Sequence, residues 1–234
     1  MYLYGKNSVV ERIKANPKTI HAVFLDSDFK DPAIETLIAS KNIPFKRIPG
    51  DKLLKLKPAQ HLQGIVAEVD AFSYSDFDGL LDSSNVLIFL DRIYDPQNLG
   101  AIIRNTACFG GFSIIIPKHK ACEVTETVLH VAQGAENYAN IALVSNISNA
   151  IITAKKRGFW IMGAVLDAQA KDLGVIDIPF PLGIVFGSEG EGVRYGVDKQ
   201  VDIKAKIPMH GANLSYNVSM AVAIFCYEIN KQRK

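Results

Sequence analysis

Two segments of the chain place polar side chains beside glycine and buried apolar residues, in patterns that suit a ligand site. In the first, DPQNLGAIIRNT, Asn98 precedes an apolar helix and Arg104 lies on it. An arginine among Ile, Ala, Cys and Phe needs an anion or a carbonyl as partner. That partner could be a bound phosphate, or an internal carboxylate in a structural ion pair, and Asn98 could simply cap the helix.

In the second segment, GIVFGSEGEGV, an apolar strand runs directly into three glycines within six residues. Glycine lets a ligand approach the backbone closely. The carboxylates of Glu189 and Glu191 would repel a phosphate, so a neutral or cationic ligand fits better. A tight turn at the end of the strand is the structural alternative.

A third segment, IPMHGANLSYNVSMAVAIF, contains a strand that ends at a proline, a loop with Gly211, and a helix that Ser215 and Asn217 open. These two polar residues could do no more than cap the helix. From residue 218 to 229 the helix is apolar almost all round, which is typical of a helix buried on every side. At the C-terminus of a small domain, this pattern predicts burial against a second subunit.

The elements that must position these segments follow from the apolar pattern. From the buried run Val86–Leu90 onward, apolar strands alternate with helices, the first of them at 99–109, which predicts a mainly parallel sheet covered on both faces. Residues 1–72 are predicted to form a smaller α/β domain, and residues 73–85, rich in Ser and Asp, a linker. Residues 86–234 form the larger predicted domain.

Composition and missing motifs exclude several classes of protein. The 234 residues carry a net charge of only +2, too little to coat nucleic acid indiscriminately. GxGxxG, GxxxxGK[ST], HExxH and GxSxG motifs are absent, and the five histidines form no metal-ligand pattern, so no metal is expected. No membrane-length apolar run or signal-peptide core occurs, and the three cysteines form no CxxC. These features predict a cytoplasmic location with reduced thiols.

Taken in order, the three segments resemble the motifs NxGxxxR, GxEGxG and IPMxG with SxNVS of the SpoU/TrmH family of S-adenosylmethionine-dependent RNA ribose 2′-O-methyltransferases. This resemblance covers residues 86–231. Residues 2–70 resemble the family's N-terminal RNA-binding module, through GKNSVVE at its start and HLQGIV near its end. The arrangement is similar to that of large-subunit rRNA guanosine methyltransferases, so rRNA is favoured over tRNA as substrate.

The resemblance implies that the C-terminal domain carries an α/β trefoil knot, which binds S-adenosylmethionine and forms a homodimer. The family's cofactor-binding positions correspond to Gly187, Ile207 and Tyr216, and Tyr216 replaces the usual leucine. The family's conserved polar positions, which we take as catalytic, correspond to Asn98, Arg104, Glu189, Ser215 and Asn217.

The resemblance makes Arg104 the candidate for activating the ribose hydroxyl. A guanidinium stays charged, so Arg104 can act as a base only if an RNA phosphate first takes a proton from it. Otherwise it holds the phosphate and stabilises the developing alkoxide. Asn98 is expected to orient Arg104 or the ribose, and Glu189 to hold loop backbone or steady the first segment.

Three other interpretations stay open. The chain could be a non-catalytic RNA-binding or ribosome assembly protein with the same fold, although the retained Arg104, Asn98 and Glu189 argue against that. It could methylate tRNA instead of rRNA, which the full-size front domain disfavours. It could act on another RNA atom such as guanine N1, whereas the arginine of the first segment and the SxNVS sequence point to the ribose oxygen.

Overall fold

The structure, a computed structural model, describes residues 1–188, 190, 192–212 and 214–233. The chain divides into two compact units, the first comprising Met1–Ser73 and Val124–Tyr138, the second Tyr74–Glu123 and Ala139–Lys234. Both units are built from strands and helices, which confirms the predicted α/β class. The segment Val124–Tyr138 packs with the first unit, whereas the predicted boundaries placed it in the second domain.

The elements are numbered along the chain. The strands are β1 (Tyr2–Tyr4), β2 (Ile20–Asp26), β3 (Phe45–Ile48), β4 (Ile65–Val69), β5 (Val86–Leu90), β6 (Ser113–Pro117), β7 (Asn140–Val144), β8 (Trp160–Ala164), β9 (Lys171–Asp172), β10 (Leu182–Phe186) and β11 (Ile203–Lys206). The helices are α1 (Lys6–Ala15), α2 (Pro32–Ser40), α3 (Gly50–Leu56), α4 (Phe77–Ser83), α5 (Pro96–Phe109), α6 (Glu126–Ala132), α7 (Ile147–Lys156), α8 (Tyr195–Asp198) and α9 (Val218–Gln232).

The first unit is built on a four-stranded sheet in the order β1-β4-β2-β3. Strands β1 and β2 run antiparallel to β4, and β3 runs parallel to β2. Helix α6 belongs to this unit because its side chains meet β1: the Tyr2 backbone N–H donates to Glu126 Oε1 at 2.6 Å, and the Tyr4 and His130 rings stack with centroids 4.0 Å apart.

The second unit contains a seven-stranded sheet in the order β7-β6-β5-β10-β8-β11-β9, in which every neighbouring pair is parallel. Strands β5, β6 and β10 are buried along their whole length. Burial on both faces explains why these strands read as continuous apolar runs instead of alternating polar and apolar residues.

The segment predicted as a linker contains helix α4. The Asp76 side chain accepts a hydrogen bond from the Gly79 N–H at 2.8 Å and so caps the helix. Leu80 and Leu81 are buried in the core of the second unit. One of the residues that suggest a break in structure, Asp76, therefore caps a short helix, and Asp78 and Asp82 lie on the exposed face of that helix.

Within a single chain, helix α9 is buried on one side only, and the predicted burial of its other side against a second subunit stays a prediction. Val222, Phe225 and Ile229 are buried, whereas Met220 is 57% exposed and Tyr227 58% exposed.

Among the described residues, none of the helices has the length and the apolar character of a membrane-spanning segment.

Candidate functional site

A cavity of about 410 Å³ lies in the second unit, beside the carboxyl ends of strands β8, β10 and β11. Ligands of parallel α/β sheets bind at this edge of the sheet, near the point where the strand order reverses. In this sheet, β5 and β10 are neighbours although they are far apart in sequence. The volume falls within the range of about 300–1,000 Å³ typical of small-molecule sites. The lining residues are Ala164, Val165, Leu166, Phe186, Gly187, Ser188, Gly190, Gly192, Val193, Asp198, Ala205, Lys206, Ile207, Ser215, Tyr216, Val218, Ala221 and Phe225.

The structure brings the three predicted cofactor-binding residues to this one cavity. Gly187 and Ile207 follow β10 and β11 directly, and Tyr216 precedes α9. Ser215, predicted as catalytic, lines the same cavity and is exposed. Two segments separated in sequence thus contribute to the lining of one cavity.

Close backbone packing explains the glycine at position 187. A Cβ built there would lie 2.1 Å from the carbonyl carbon of Gly192 and 2.3 Å from the nitrogen of Val193. The Gly192 N–H also donates to the Ser188 carbonyl oxygen at 3.0 Å. The loop after β10 therefore folds back tightly on its own start.

A second cavity of about 230 Å³ adjoins the first. Its lining residues are Arg92, Ile93, Tyr94, Asp95, Asn98, Ser188 and Val218, of which Ser188 and Val218 also line the larger cavity. An exposed tyrosine and four polar side chains are among the residues that line this smaller cavity.

Asn98 and Asn217 join the first and third motifs. The Asn217 Nδ2 donates to Asn98 Oδ1 at 2.8 Å, and Asn98 is buried. Asn217 also caps α9, because its Oδ1 accepts from the Ser219 N–H at 2.9 Å. Asn98 is not a cap: Asp95 fills that position on α5 and accepts from the Gln97 N–H.

The structure does not bring Arg104 to either cavity. Its side chain is exposed on α5, and no hydrogen bond or ion pair to it occurs within the part of the chain that the structure describes. The internal ion pair considered as an alternative is therefore not formed among these residues. Its neighbour Asn105 donates to the Ser219 carbonyl oxygen at 3.0 Å, so Arg104 lies near the start of α9.

An ion pair that the sequence analysis missed joins Asp91, after β5, to Arg194, after the loop that follows β10. Asp91 is completely buried at the end of β5, and its carboxylate lies 2.6 Å from Arg194 Nη2. Hydrogen bonding to Asp91 raises the pKa of the Arg194 guanidinium above its ordinary value. The available signal was a carboxylate directly after an all-apolar strand, where a charge needs a partner.

Glu189, predicted as catalytic, lies outside the described residues. Across residues 1–188, 190, 192–212 and 214–233, no group of three or more His, Cys, Asp or Glu side chains is placed to hold a metal ion.

Comparison with known proteins matches nearly the whole chain. Residues 85–227 match the family model described as the SpoU rRNA Methylase family, and residues 2–75 match the model for RNA 2′-O ribose methyltransferase substrate binding. A protein named as a TrmH family tRNA/rRNA methyltransferase from Bacillus subtilis is 33% identical, over 99% of this chain and 96% of the relative. A protein named 23S rRNA (guanosine-2′-O-)-methyltransferase from Coxiella burnetii is also 33% identical, with the same coverage.

Solved structures share the fold. The SpoU methyltransferase AviRb from Streptomyces viridochromogenes, in complex with AdoMet, superimposes with a TM-score of 0.81 at 20% identity, covering 99% of this chain and 90% of that one. An AdoMet-bound rRNA methyltransferase from Sinorhizobium meliloti gives a TM-score of 0.80 at 20% identity, covering 98% and 86%.

Proposed function

The chain belongs to the SpoU rRNA methylase family, and from this premise we propose that it transfers a methyl group from S-adenosylmethionine to a ribose 2′-hydroxyl of RNA. The observation that carries the proposal is the gathering of Gly187, Ile207, Ser215 and Tyr216 around one cavity at the carboxyl edge of the sheet. Relatives named as 23S rRNA guanosine methyltransferases, together with the matched substrate-binding module, favour a guanosine of large-subunit rRNA.

The larger cavity fits S-adenosylmethionine in size and in character. Its walls combine glycines with apolar side chains such as Val165 and Phe225, which suit an adenine ring, while Asp198 and Lys206 offer charges of both signs to an amino acid group. When bound, S-adenosylmethionine supplies an electrophilic methyl group on a positively charged sulfur. Gly187 and Ile207 would hold it, and Tyr216 would form part of the pocket wall.

We assign the smaller cavity to the acceptor nucleoside. The two cavities share Ser188 and Val218, so groups bound in them would lie side by side. Tyr94 is exposed and offers a ring on which a base can stack. Alignment of two bound reactants can lower a reaction barrier by about 7–11 kcal/mol, so positioning alone would supply much of the rate.

Arg104 keeps its proposed role of holding an RNA phosphate and stabilising the developing alkoxide. Its exposure and its lack of a partner among the described residues leave the guanidinium available to RNA. Because Arg104 lines neither cavity of its own chain, we propose that it acts on the site of a second copy.

This role requires a homodimer formed by the second unit. The exposed Met220 and Tyr227 on α9 give that helix an apolar surface, and Asn105, next to Arg104, bonds to its first turn. Pairing of two copies over α9 would bury this surface and bring Arg104 to the interface. The trefoil knot of the second unit and a cytoplasmic location, which the three free cysteines support, complete the proposal.

Cofactor binding and methyl transfer test the function separately. We expect calorimetric titration to detect S-adenosylmethionine binding to the wild-type chain, and Arg104→Ala to retain that binding while losing transfer of tritiated methyl groups to RNA. Full activity in Arg104→Ala would reject its assignment. Absence of cofactor binding in the wild type would favour the non-catalytic RNA-binding alternative.

Mapping ribose methylation and base methylation in rRNA and tRNA from a deletion strain distinguishes the substrates. Loss of one rRNA 2′-O-methyl group is expected, whereas loss of a tRNA methyl group would support the tRNA alternative, and loss of a base methyl group would support the guanine N1 alternative.

The proposed action of Arg104 on the site of a second copy can be tested by mixing two variants. A mixture of Arg104→Ala with a cavity variant, Gly187→Ala, should regain part of the wild-type activity, since a mixed dimer then contains one intact site. A mass that stays monomeric at every concentration in sedimentation would contradict the dimer.

A further inference from the structure

Asp91 is a buried charge that the proposed reaction does not use. It follows the last residue of β5 and has no exposed surface. A carboxylate removed from water is costly unless it is paired and hydrogen-bonded. What Asp91 bonds to therefore indicates why it is there.

Asp91 bonds to the two residues that flank the loop after β10. On the entry side, the Asp91 backbone N–H donates to the carbonyl oxygen of Phe186, the last residue of β10, at 2.8 Å. On the exit side, its Oδ2 accepts from the Arg194 backbone N–H at 3.3 Å, and its Oδ1 accepts from Arg194 Nε at 2.9 Å and lies 2.6 Å from Nη2. The contact of a guanidinium with a carboxylate through two nitrogens is both strong and directional.

The loop held between these two bonds forms a wall of the larger cavity. Its described residues Gly187, Ser188, Gly190, Gly192 and Val193 all line that cavity. The loop is folded onto itself by the hydrogen bond from Gly192 to Ser188 and by the close approach of Gly187 to Gly192. A change in the separation of its two ends would therefore change the shape of the cavity.

We propose that Asp91 and Arg194 are positioning residues that hold this loop in its ligand-binding shape before S-adenosylmethionine arrives. The inference rests on the function proposed above and adds to it two residues outside the motifs. A loop that is already ordered costs less conformational entropy when the ligand binds, so the ion pair should act mainly on affinity.

Arg194→Met is the principal test, because it removes the donors while keeping an unbranched apolar stem. We expect the S-adenosylmethionine Kd, measured by calorimetry, to rise about tenfold or more, the size expected for losing a hydrogen bond to a charged group. Hydrogen exchange at the Gly192 amide should become faster. The kcat at saturating S-adenosylmethionine and the KM for RNA should stay close to wild type.

Two further variants test the same contact if Arg194→Met does not fold. Arg194→Lys keeps the charge but cannot form the two-nitrogen contact, and it should give an intermediate Kd. Asp91→Asn keeps the shape of the side chain and its backbone bond to Phe186 but weakens the bonds to Arg194, and it should raise the Kd in the same direction.

The ion pair between Lys155 and Asp202 offers a matched control. Lys155 Nζ lies 2.6 Å from Asp202 Oδ1, and Asp202 Oδ2 accepts from the Ile161 backbone N–H at 2.9 Å, so this carboxylate also ties a side chain and a backbone amide together. Neither Lys155 nor Asp202 is among the residues that line the two cavities described above. Lys155→Met should lower the Tm and leave the Kd unchanged.

The outcomes separate this inference from the function on which it rests. If the wild type does not bind S-adenosylmethionine, the proposed function fails. If the wild type binds but the Arg194 and Asp91 variants bind equally well, the positioning role is wrong. If Lys155→Met weakens binding as much as Arg194→Met, the effect is one of overall stability, and the positioning role is also wrong.

Discussion

Replacement of Gly187 with alanine is the most direct test of the cavity wall. The added Cβ would lie 2.1 Å from the Gly192 carbonyl carbon and 2.2 Å from its oxygen, whereas ordinary van der Waals contact begins at 3.4 Å. These are backbone atoms, so no side-chain rotation can relieve the overlap, and Asp91 restrains both ends of the loop. The wall must move by about 1 Å or more, and a misplacement of about that size can cost about 100-fold in rate.

Methyl transfer and cofactor binding should both report this displacement. We expect Gly187→Ala to lower kcat/KM by about 100-fold and to weaken S-adenosylmethionine binding in calorimetry, with a smaller effect on the KM for RNA. Gly211→Ala, in the loop of the third motif, is the matched control, because nothing lies within 4 Å of its added Cβ. A Gly187→Ala variant with wild-type affinity and wild-type kcat/KM would refute the assignment of this cavity to the cofactor.

Three other predictions concern stability and reactivity. A double-mutant cycle of Asn98→Ala and Asn217→Ala, followed by urea unfolding, should give a coupling energy of about 1 kcal/mol for their 2.8 Å hydrogen bond, and a value of zero would contradict that bond. Burial raises the pKa of Glu136 above 4.5, so its protonated form is favoured in the folded state and its contribution to stability is lost as pH rises through the raised pKa. The Tm of Glu136→Gln relative to wild type should therefore increase from pH 4.5 towards neutrality. A Tm difference that does not change with pH would contradict the raised pKa. Burial also raises the pKa of the Cys226 thiol to about 12. A disulfide reagent should therefore modify the exposed Cys108 in the native protein, and Cys226 only after unfolding. Rapid labelling of Cys226 in the native state would contradict this prediction.

Several elements were predictable because their causes are local. The apolar run of β5 is bounded by polar residues on both sides, so its predicted and observed limits coincide at Val86–Leu90. The predicted start of α5 at residue 99 was late by three residues, because Asp95 and Pro96 supply the cap and the first helical position. The short helix α4 was missed because its capping Asp76 resembles a turn residue.

Other features depend on contacts between distant parts of the chain, which periodicity does not encode. The attachment of Val124–Tyr138 to the first unit rests on contacts such as the Tyr4–His130 ring stack. The pairing of Asp91 with Arg194 joins residues 103 positions apart. Only the chain's folded path brings such residues within bonding distance.

The sequence by itself determined the α/β class, the strands buried on both faces, and, through the resemblance of three motifs, the candidate site residues. These follow from local composition and from motif spacing. The tertiary structure decided which residues share that cavity and which do not: it gathered Gly187, Ile207, Ser215 and Tyr216, and it left Arg104 exposed on α5. The physical reason is that a motif specifies residue types along the chain, whereas the order of parallel strands decides which strand ends, and therefore which side chains, lie side by side.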